Sequence, residues 1–92
     1  MIRRARPDDC AAITDMIYQL AEHLGAREQC TVSRSDIERA LFSPGAAVFA
    51  HVAVSDTSGT AQVVGIAVWF RNFSTWDGTQ GIYLEDLFVS PT

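Results

Sequence analysis

The sequence predicts an α/β domain of the α+β kind, in the order β-α-α-β-β-β, with a mainly antiparallel sheet and two helices. Three observations lead there. Residues 10–24 place apolar side chains at helical spacing, Ser33 to Asp36 carries a helix-start signature, and the second half holds three β-rich runs joined by short links. Links that short join antiparallel neighbours, and two amphipathic helices need a sheet on which to bury their apolar stripes.

Ile2 to Arg6 suits a short first strand. Pro7 fits a first helical position, and Asp8 and Asp9 fit the positive end of a helix dipole. Cys10, Ile13, Met16, Ile17, Leu20 and Leu24 then form one stripe, and Gly25 supplies the C-cap. Ser33-Arg34-Ser35-Asp36 has the form of a capping box with Asp in the acidic position. Ile37, Ala40 and Leu41 give the second helix its stripe, and Ser43-Pro44-Gly45 ends it. Val48 to Val54 is a strand with Val48, Ala50, Val52 and Val54 on one face, followed by a turn-rich link from Ser55 to Thr60. Val63 to Phe73 is a long strand in which Gly65 marks a bulge or a close backbone approach, and Trp69 and Phe70 are expected in the core. A loop from Ser74 to Gly81 holds Trp76, Asp77 and Gly78, and Ile82 to Val89 is the last strand.

Composition narrows the function. Ninety-two residues, 48% of them hydrophobic, make one globular domain at most. No apolar run approaches the ~20 residues of a membrane helix. The basic start, Met1 to Arg6, runs into Pro7-Asp8-Asp9 where a secretory signal needs an apolar core, so a cytoplasmic protein is expected. Cys10 and Cys30 sit in no CxxC and near no histidine at ligand spacing; no metal is expected, and Cys10 reads as a buried free thiol. A net charge of −4 argues against nucleic acid as a partner. The second half carries only Arg71 against Asp56, Asp77, Glu85 and Asp86, a balance that suits a cationic ligand. The twelve alanines and the lack of lysine read as composition bias.

Three segments carry a family resemblance. Ile2-Arg3 with Ala5, then Asp9-Cys10-Ala11-Ala12-Ile13, looks like the opening strand and first helix of GNAT-type N-acetyltransferases. Val64-Gly65-Ile66-Ala67-Val68-Trp69-Phe70 resembles their third strand. Trp76-Asp77-Gly78, followed by Tyr83-Leu84-Glu85-Asp86-Leu87-Phe88-Val89-Ser90-Pro91, is similar to the diamine (spermidine/spermine) acetyltransferases and their thialysine-acetylating relatives. The resemblance covers essentially the whole chain and implies the N-terminal half of the GNAT fold, residues 1–92. The pyrophosphate-binding loop of acetyl-CoA and the general-acid tyrosine are expected beyond Thr92. Two positions depart from that branch: His23-Leu24 stands where an aromatic-acidic pair is usual, and Ser74 stands where an acid is frequent. Both remove negative charge from the expected amine site.

Acetyl transfer to an amine requires that the amine be held and deprotonated, and an aliphatic ammonium has a pKa of ~10.4. A carboxylate can attract the cation and relay its proton. Glu85 is the candidate base, a role that the resemblance also implies, with Asp86 as a second charge contact, Trp76 closing over the alkylammonium by cation–π contact, and Tyr83 expected among the substrate-binding residues. The resemblance also implies a strand bulge that aims the backbone of Leu87, Phe88 and Val89 at acetyl-CoA. Simple alternation puts Ile82, Leu84, Asp86 and Phe88 on one face and Tyr83, Glu85, Leu87 and Val89 on the other, unless a bulge intervenes. Read without the family, Glu85 and Asp86 are solvated charges that guard an edge strand, and Trp76 is an apolar plug. His23 and His51 read as surface or satisfied histidines, and Glu22 and Glu28 either line a substrate entrance or face solvent. The function expected is acetyl transfer from acetyl-CoA to a small diamine- or polyamine-like acceptor by a homo-oligomer, a dimer. The alternatives are an inactive GNAT fragment serving as an assembly or amine-binding module, and a GNAT with a different acceptor.

Overall fold

The computed structural model describes residues 1–56 and 59–90. The elements are β1 (Ile2–Arg4), α1 (Cys10–His23), α2 (Arg34–Phe42), β2 (Val48–Ser55), β3 (Gln62–Ser74) and β4 (Thr79–Val89), with short 3-10 turns at Pro7–Asp9 and Arg27–Gln29. The strands form one sheet in the order β1-β2-β3-β4, with every neighbouring pair antiparallel. This is the half GNAT fold expected. No helix is long and apolar enough to cross a membrane.

Both helices lie against one sheet face. Ile13 and Met16 of α1 bury against Ala50 and Val52 of β2 and Ile66 and Val68 of β3, with Ile37 and Leu41 of α2 packed at the margin. Ile13 and Val52 are fully buried, as is the Cys10 thiol, whose pKa burial pushes up. The α2 start is the expected capping box: the Asp36 N–H donates to Ser33 Oγ at 3.1 Å, and the Ser33 N–H donates to the Asp36 carboxylate at 2.9 Å. Gly25 takes φ +72° just past α1, the left-handed region open to glycine at little cost.

The start of α1 is set by a charge pair. Arg3, on the helix side of β1, reaches the buried Asp9 carboxylate with two bonds of 2.7 and 3.1 Å, and the Arg6 N–H donates to the same group at 2.7 Å. With Asp9 engaged backwards, Pro7–Asp9 winds as a 3-10 turn and the α-helix proper begins at Cys10, three residues after the expected position.

Other boundaries also move. Strand pairing runs on to Ser74↔Thr79, so the expected loop of Ser74 to Gly81 contracts to a turn around Trp76-Asp77-Gly78, and β4 gains Thr79 to Gly81. Gly78 at φ +67° makes that tight reversal possible. Between β2 and β3, Ala53 faces Gly65 and Val54 faces Val63, which leaves Val64 as an extra residue. Gly65 beside it is the close approach: a Cβ there would lie 3.3 Å from both the Ala53 Cβ and the Phe88 carbonyl oxygen. The link from Ser55 to Thr60 includes residues 57 and 58, and the resembling motif ends at Pro91, all outside the described residues. Trp69 is not in the helix-side core. It sits on the opposite sheet face, stacked 4.7 Å from Phe49, and its indole N–H donates to His51 Nδ1 at 3.1 Å. An indole N–H needs a partner when it leaves water, and on this face His51 supplies one.

Arg3 is the main reason the Asp9 carboxyl sits below its ordinary range; the Arg6 N–H adds to this, against the opposing effect of burial. Asp9→Asn should lower unfolding free energy at neutral pH by roughly 1.5–3 kcal/mol, the range for hydrogen bonds to a charged group. Because the folded pKa is depressed, that contribution is present above the ordinary carboxylate pKa and is lost as pH falls through the folded value. Urea unfolding of both proteins across that range should show the gap closing in acid.

Candidate active site

The β3–β4 register decides what each residue of the last strand faces. Val68 pairs with Asp86 and Trp69 pairs with Leu84, so Glu85 is one residue too many: a bulge. Directly paired residues share a sheet face. Tyr83 therefore joins Phe70, Asp86 joins Val68 and Phe88 joins Ile66 on the helix side, while Leu84 and Leu87 join Trp69 and Ala67 on the other. Simple alternation had grouped Asp86 with Ile82 and Leu84; the bulge replaces those two by Tyr83, whose ring stacks on Phe70 with centroids 5.0 Å apart. Glu85 stays exposed and has no partner across the ladder.

The last turns of α1 stand off from β4 and leave two cavities. One of about 570 Å³ is lined by Gln19, Leu20, Glu22, His23 and the segment Leu87-Phe88-Val89. The Ser90 N–H donates to the Val64 carbonyl at 2.7 Å, so alternation along the strand turns the N–H groups of Leu87 and Val89 away from β3, toward the free edge. A second cavity of about 240 Å³ is lined by Ile17, Leu20, Ala21 and Leu24 of α1, by Ala26, Gln29 and Cys30, and by Asp86. Leu20 borders both, and Asp86 and Leu87, one in each, are consecutive.

Asp86 is half-buried, and among the described residues no hydrogen bond or ion pair reaches its carboxylate. Burial, and then the neighbouring Glu85 charge, push its pKa above the ordinary carboxylate value. Loss of water without a compensating cation disfavours the ionised form. The connection that walls this cavity is itself tied down. The Tyr18 hydroxyl donates to the Val32 carbonyl at 2.5 Å, and the Arg27 guanidinium lies 4.1 Å from the Tyr18 ring centre.

Of the residues expected at the site, Asp86 and Leu87 to Val89 meet across Leu20, with Glu85 and Tyr83 adjacent on β4. Trp76 does not join them. It is 97% exposed at the turn, and roughly 24 Å of strand separates Thr79 from Asp86 at ~3.4 Å per residue. Glu22, read as either entrance or solvated face, lines the larger cavity. The residues not foreseen are Ile17, Leu20, Ala21 and Leu24. The helical spacing of Ile17, Leu20 and Leu24 signalled a buried stripe, without Ala21; Ile13 and Met16 bury against the sheet with Ile17 packed beside them, and Leu20 and Leu24 border the cavities.

No family model matches the chain. It is 35% identical over 97 aligned residues to the thialysine N-ε-acetyltransferase of Bos taurus, covering 99% of this chain and 55% of that protein. The Mus musculus protein of the same name is 35% identical over 96, covering 98% and 55%. The chain thus spans about half the length of the curated relatives it matches. Among solved structures, a probable acetyltransferase superposes with a TM-score of 0.74 at 17% identity, over 99% of this chain and 58% of that one, a likeness that speaks for the fold.

If Asp86 is raised first by burial and second by Glu85, Glu85→Gln should lower the Asp86 pKa without returning it to the ordinary value. A carbon-detected NMR titration of the Asp86 carboxyl reads this directly. A carboxyl whose folded pKa is raised costs stability once it is ionised, so Asp86→Asn should stabilise the protein at neutral pH. The gain should disappear below the unfolded carboxylate pKa, where both states are protonated.

Proposed function

We propose, from the premise that this chain belongs by sequence and fold with the GNAT-type acetyltransferases, that it forms the amine-binding half of an enzyme acetylating a primary amine of a small diamine- or polyamine-like acceptor from acetyl-CoA. The observation that carries the reading is the pair of cavities meeting at Leu20, one offering the Asp86 carboxylate, unpaired among the described residues, and the other the outward N–H groups of Leu87 and Val89. An ammonium drawn to Asp86 lies one residue along the strand from donors suited to a developing oxyanion.

In this reading Asp86 holds the ammonium, gaining the counter-cation it lacks among the described residues. Glu85, exposed at the bulge and next in sequence, takes the proton through water, since an ammonium of pKa ~10.4 must lose it before attack. Tyr83 borders the same approach on the helix side. Leu87, Phe88 and Val89 would hold the acyl-bearing end of acetyl-CoA, which supplies the activated acetyl group when bound. Their outward N–H groups fit a thioester carbonyl. Trp76 is given no part in holding this amine.

A second reading, an assembly module, is favoured by the sheet surface. β4 is an edge strand, and Ile82, Leu84, Leu87 and Val89 are each at least half exposed, with only Glu85 and Asp86 as charges among them. Such an edge invites strand pairing with a second copy, which supports a dimer. Sedimentation should show self-association rising with concentration, and Ile82→Lys should weaken it. A clean monomer at about millimolar concentration would remove the edge-pairing idea.

The catalytic reading is tested in a chimera of this chain with the C-terminal part of the bovine relative. Glu85→Gln should cut kcat/KM for the amine by ~10²–10⁴ at neutral pH. The loss should shrink at high pH, where solution supplies neutral amine, while the acetyl-CoA KM changes little. Asp86→Asn should chiefly raise the amine KM. Near-normal neutral-pH rates for Glu85→Gln would reduce Glu85 to a charge on an edge strand.

A further inference from the structure

We propose that two copies of this chain exchange their β3–β4 arms, so that Trp76 of each seats in the groove beside the partner's Asp86 and donates its indole N–H to that carboxylate. The contact stands whether or not an amine binds Asp86, so it goes beyond the catalytic reading. It adds a residue from a second copy to the same site.

The first observation is the arm. The last β2–β3 pair is Val48↔Phe70, whereas β3 and β4 go on pairing to Ser74↔Thr79. Arg71 to Ser74 and Thr79 to Ile82 are thus a two-stranded ribbon beyond the rest of the sheet, a form only marginally stable alone in water. The ribbon carries Phe73 and Ile82, each more than half exposed, and the turn at its tip carries Trp76, almost wholly exposed. Among the described residues no hydrogen bond reaches the Trp76 indole N–H. The second observation is the groove. Its cavity of about 240 Å³ is below the ~300–1,000 Å³ of whole small-molecule sites, which suits one side chain. Ile17, Leu20, Ala21 and Leu24 give it hydrocarbon walls, and Asp86 is its one carboxylate, unpaired among the described residues. An indole is an apolar ring with one donor and no acceptor, the complement of such a lining. Leu24 is largely exposed, so the groove is open to a side chain entering from outside.

Strand register joins the two. Identical antiparallel strands pair about a two-fold axis that sets one residue against its own copy. β4 is a free edge, regular from Thr79 up to the bulge at Glu85, where pairing breaks off. An axis on Gly81 sets Thr79 against the partner's Tyr83 and clears the bulge. Asp86 then lies ~14 Å from the axis, four steps of ~3.4 Å with the bulge residue discounted. Thr79 lies ~7 Å to the other side, and the turn with Trp76 continues that way, toward the partner's Asp86. Pairing of this extent leaves the outward N–H groups of Leu87 and Val89 free. A carboxylate has two oxygens, so one accepts the indole N–H and the other remains for an ammonium. Trp76 is then a positioning residue, acting on substrate only through Asp86.

The test uses the 92-residue chain as a mixture of isotope-labelled and unlabelled copies at about millimolar concentration. Isotope-filtered NMR should show cross-peaks from the Trp76 indole of one copy to the methyl groups of Ala21 and Leu24 in the other. Trp76→Ala, at an exposed position, should keep the fold and weaken self-association at least about tenfold, the scale of a buried interface tryptophan. Trp76→Phe separates the hydrogen bond from the burial of a ring. A donated N–H favours the ionised carboxylate, and burial disfavours it. The Asp86 carboxyl should therefore titrate at lower pH in wild-type pairs than in the dilute monomer, and at higher pH in Trp76→Phe pairs than in wild-type pairs. If the chain stays monomeric, if its pairs show no cross-peak from Trp76 to the partner's groove, or if Trp76→Ala pairs as well as wild type, the exchange is refuted. An Asp86 titration unchanged in Trp76→Phe pairs overturns the indole hydrogen bond. None of these results bears on acetyl transfer by the chimera, so the two readings fail separately.

Discussion

A strand with its side chains in strict alternation cannot choose which of its residues meet a helix packed on one face; its register chooses for it. On β4 that register is broken once, at Glu85, and the arrangement of the site depends on the break. Without the extra residue, Leu84 would fall opposite Phe70 and Tyr83 opposite Arg71. With it, Tyr83 stacks on Phe70, Leu84 turns to the far face, and the helix side of β4 reads Tyr83, Asp86, Phe88. Downstream of the bulge, Asp86 and Phe88 keep their places against Val68 and Ile66, so the carboxylate is tied to the best-packed part of the sheet.

The same helix that makes the core also makes the cavity. α1 closes on the sheet through Ile13 and Met16, with Ile17 packed beside them, where interiors reach close packing, and leaves cavities beside β4 from Leu20 to Leu24. Leu20 and Leu24 border a gap there, and the Asp86 carboxylate, with no hydrogen-bond or ion-pair partner among the described residues, shares it. Both features oppose stability. Folds retain such features where a ligand completes the packing and the charge balance, as expected when stability and activity compete for the same residues.

The opposite sheet face follows another logic. Phe49 and Trp69 stack, His51 accepts the indole N–H, and Arg4 and Arg71 lie 5.4 and 5.5 Å from the Phe49 ring centre. These contacts organise an aromatic patch in the middle of the sheet, while Ile2, Ile82, Leu84, Leu87 and Val89 around it stay exposed. No helix of the described residues covers that face. The two faces therefore differ: one builds the core and the cavities, and the other presents an aromatic patch ringed by exposed apolar side chains.

Local signals in the sequence determined most of the elements. The α1 stripe, the Ser33–Asp36 capping box and the β-branched runs each act within a few residues, so they could be read without a partner. The motif Tyr83-Leu84-Glu85-Asp86 likewise pointed to the strand that carries the site, and its resemblance pointed to the acetyltransferase fold. Helix start and loop length were less legible. Arg3, from another element, captures Asp9, and β3 and β4 pair past the loop read from composition. Only the tertiary structure decided that the extra residue is Glu85, that Trp69 leaves the core for His51, and that Leu20 divides two cavities with Asp86 in the smaller. Each of these is settled by pairing between residues far apart in the chain, where the free energy lies in register and packing and not in any one segment's preference.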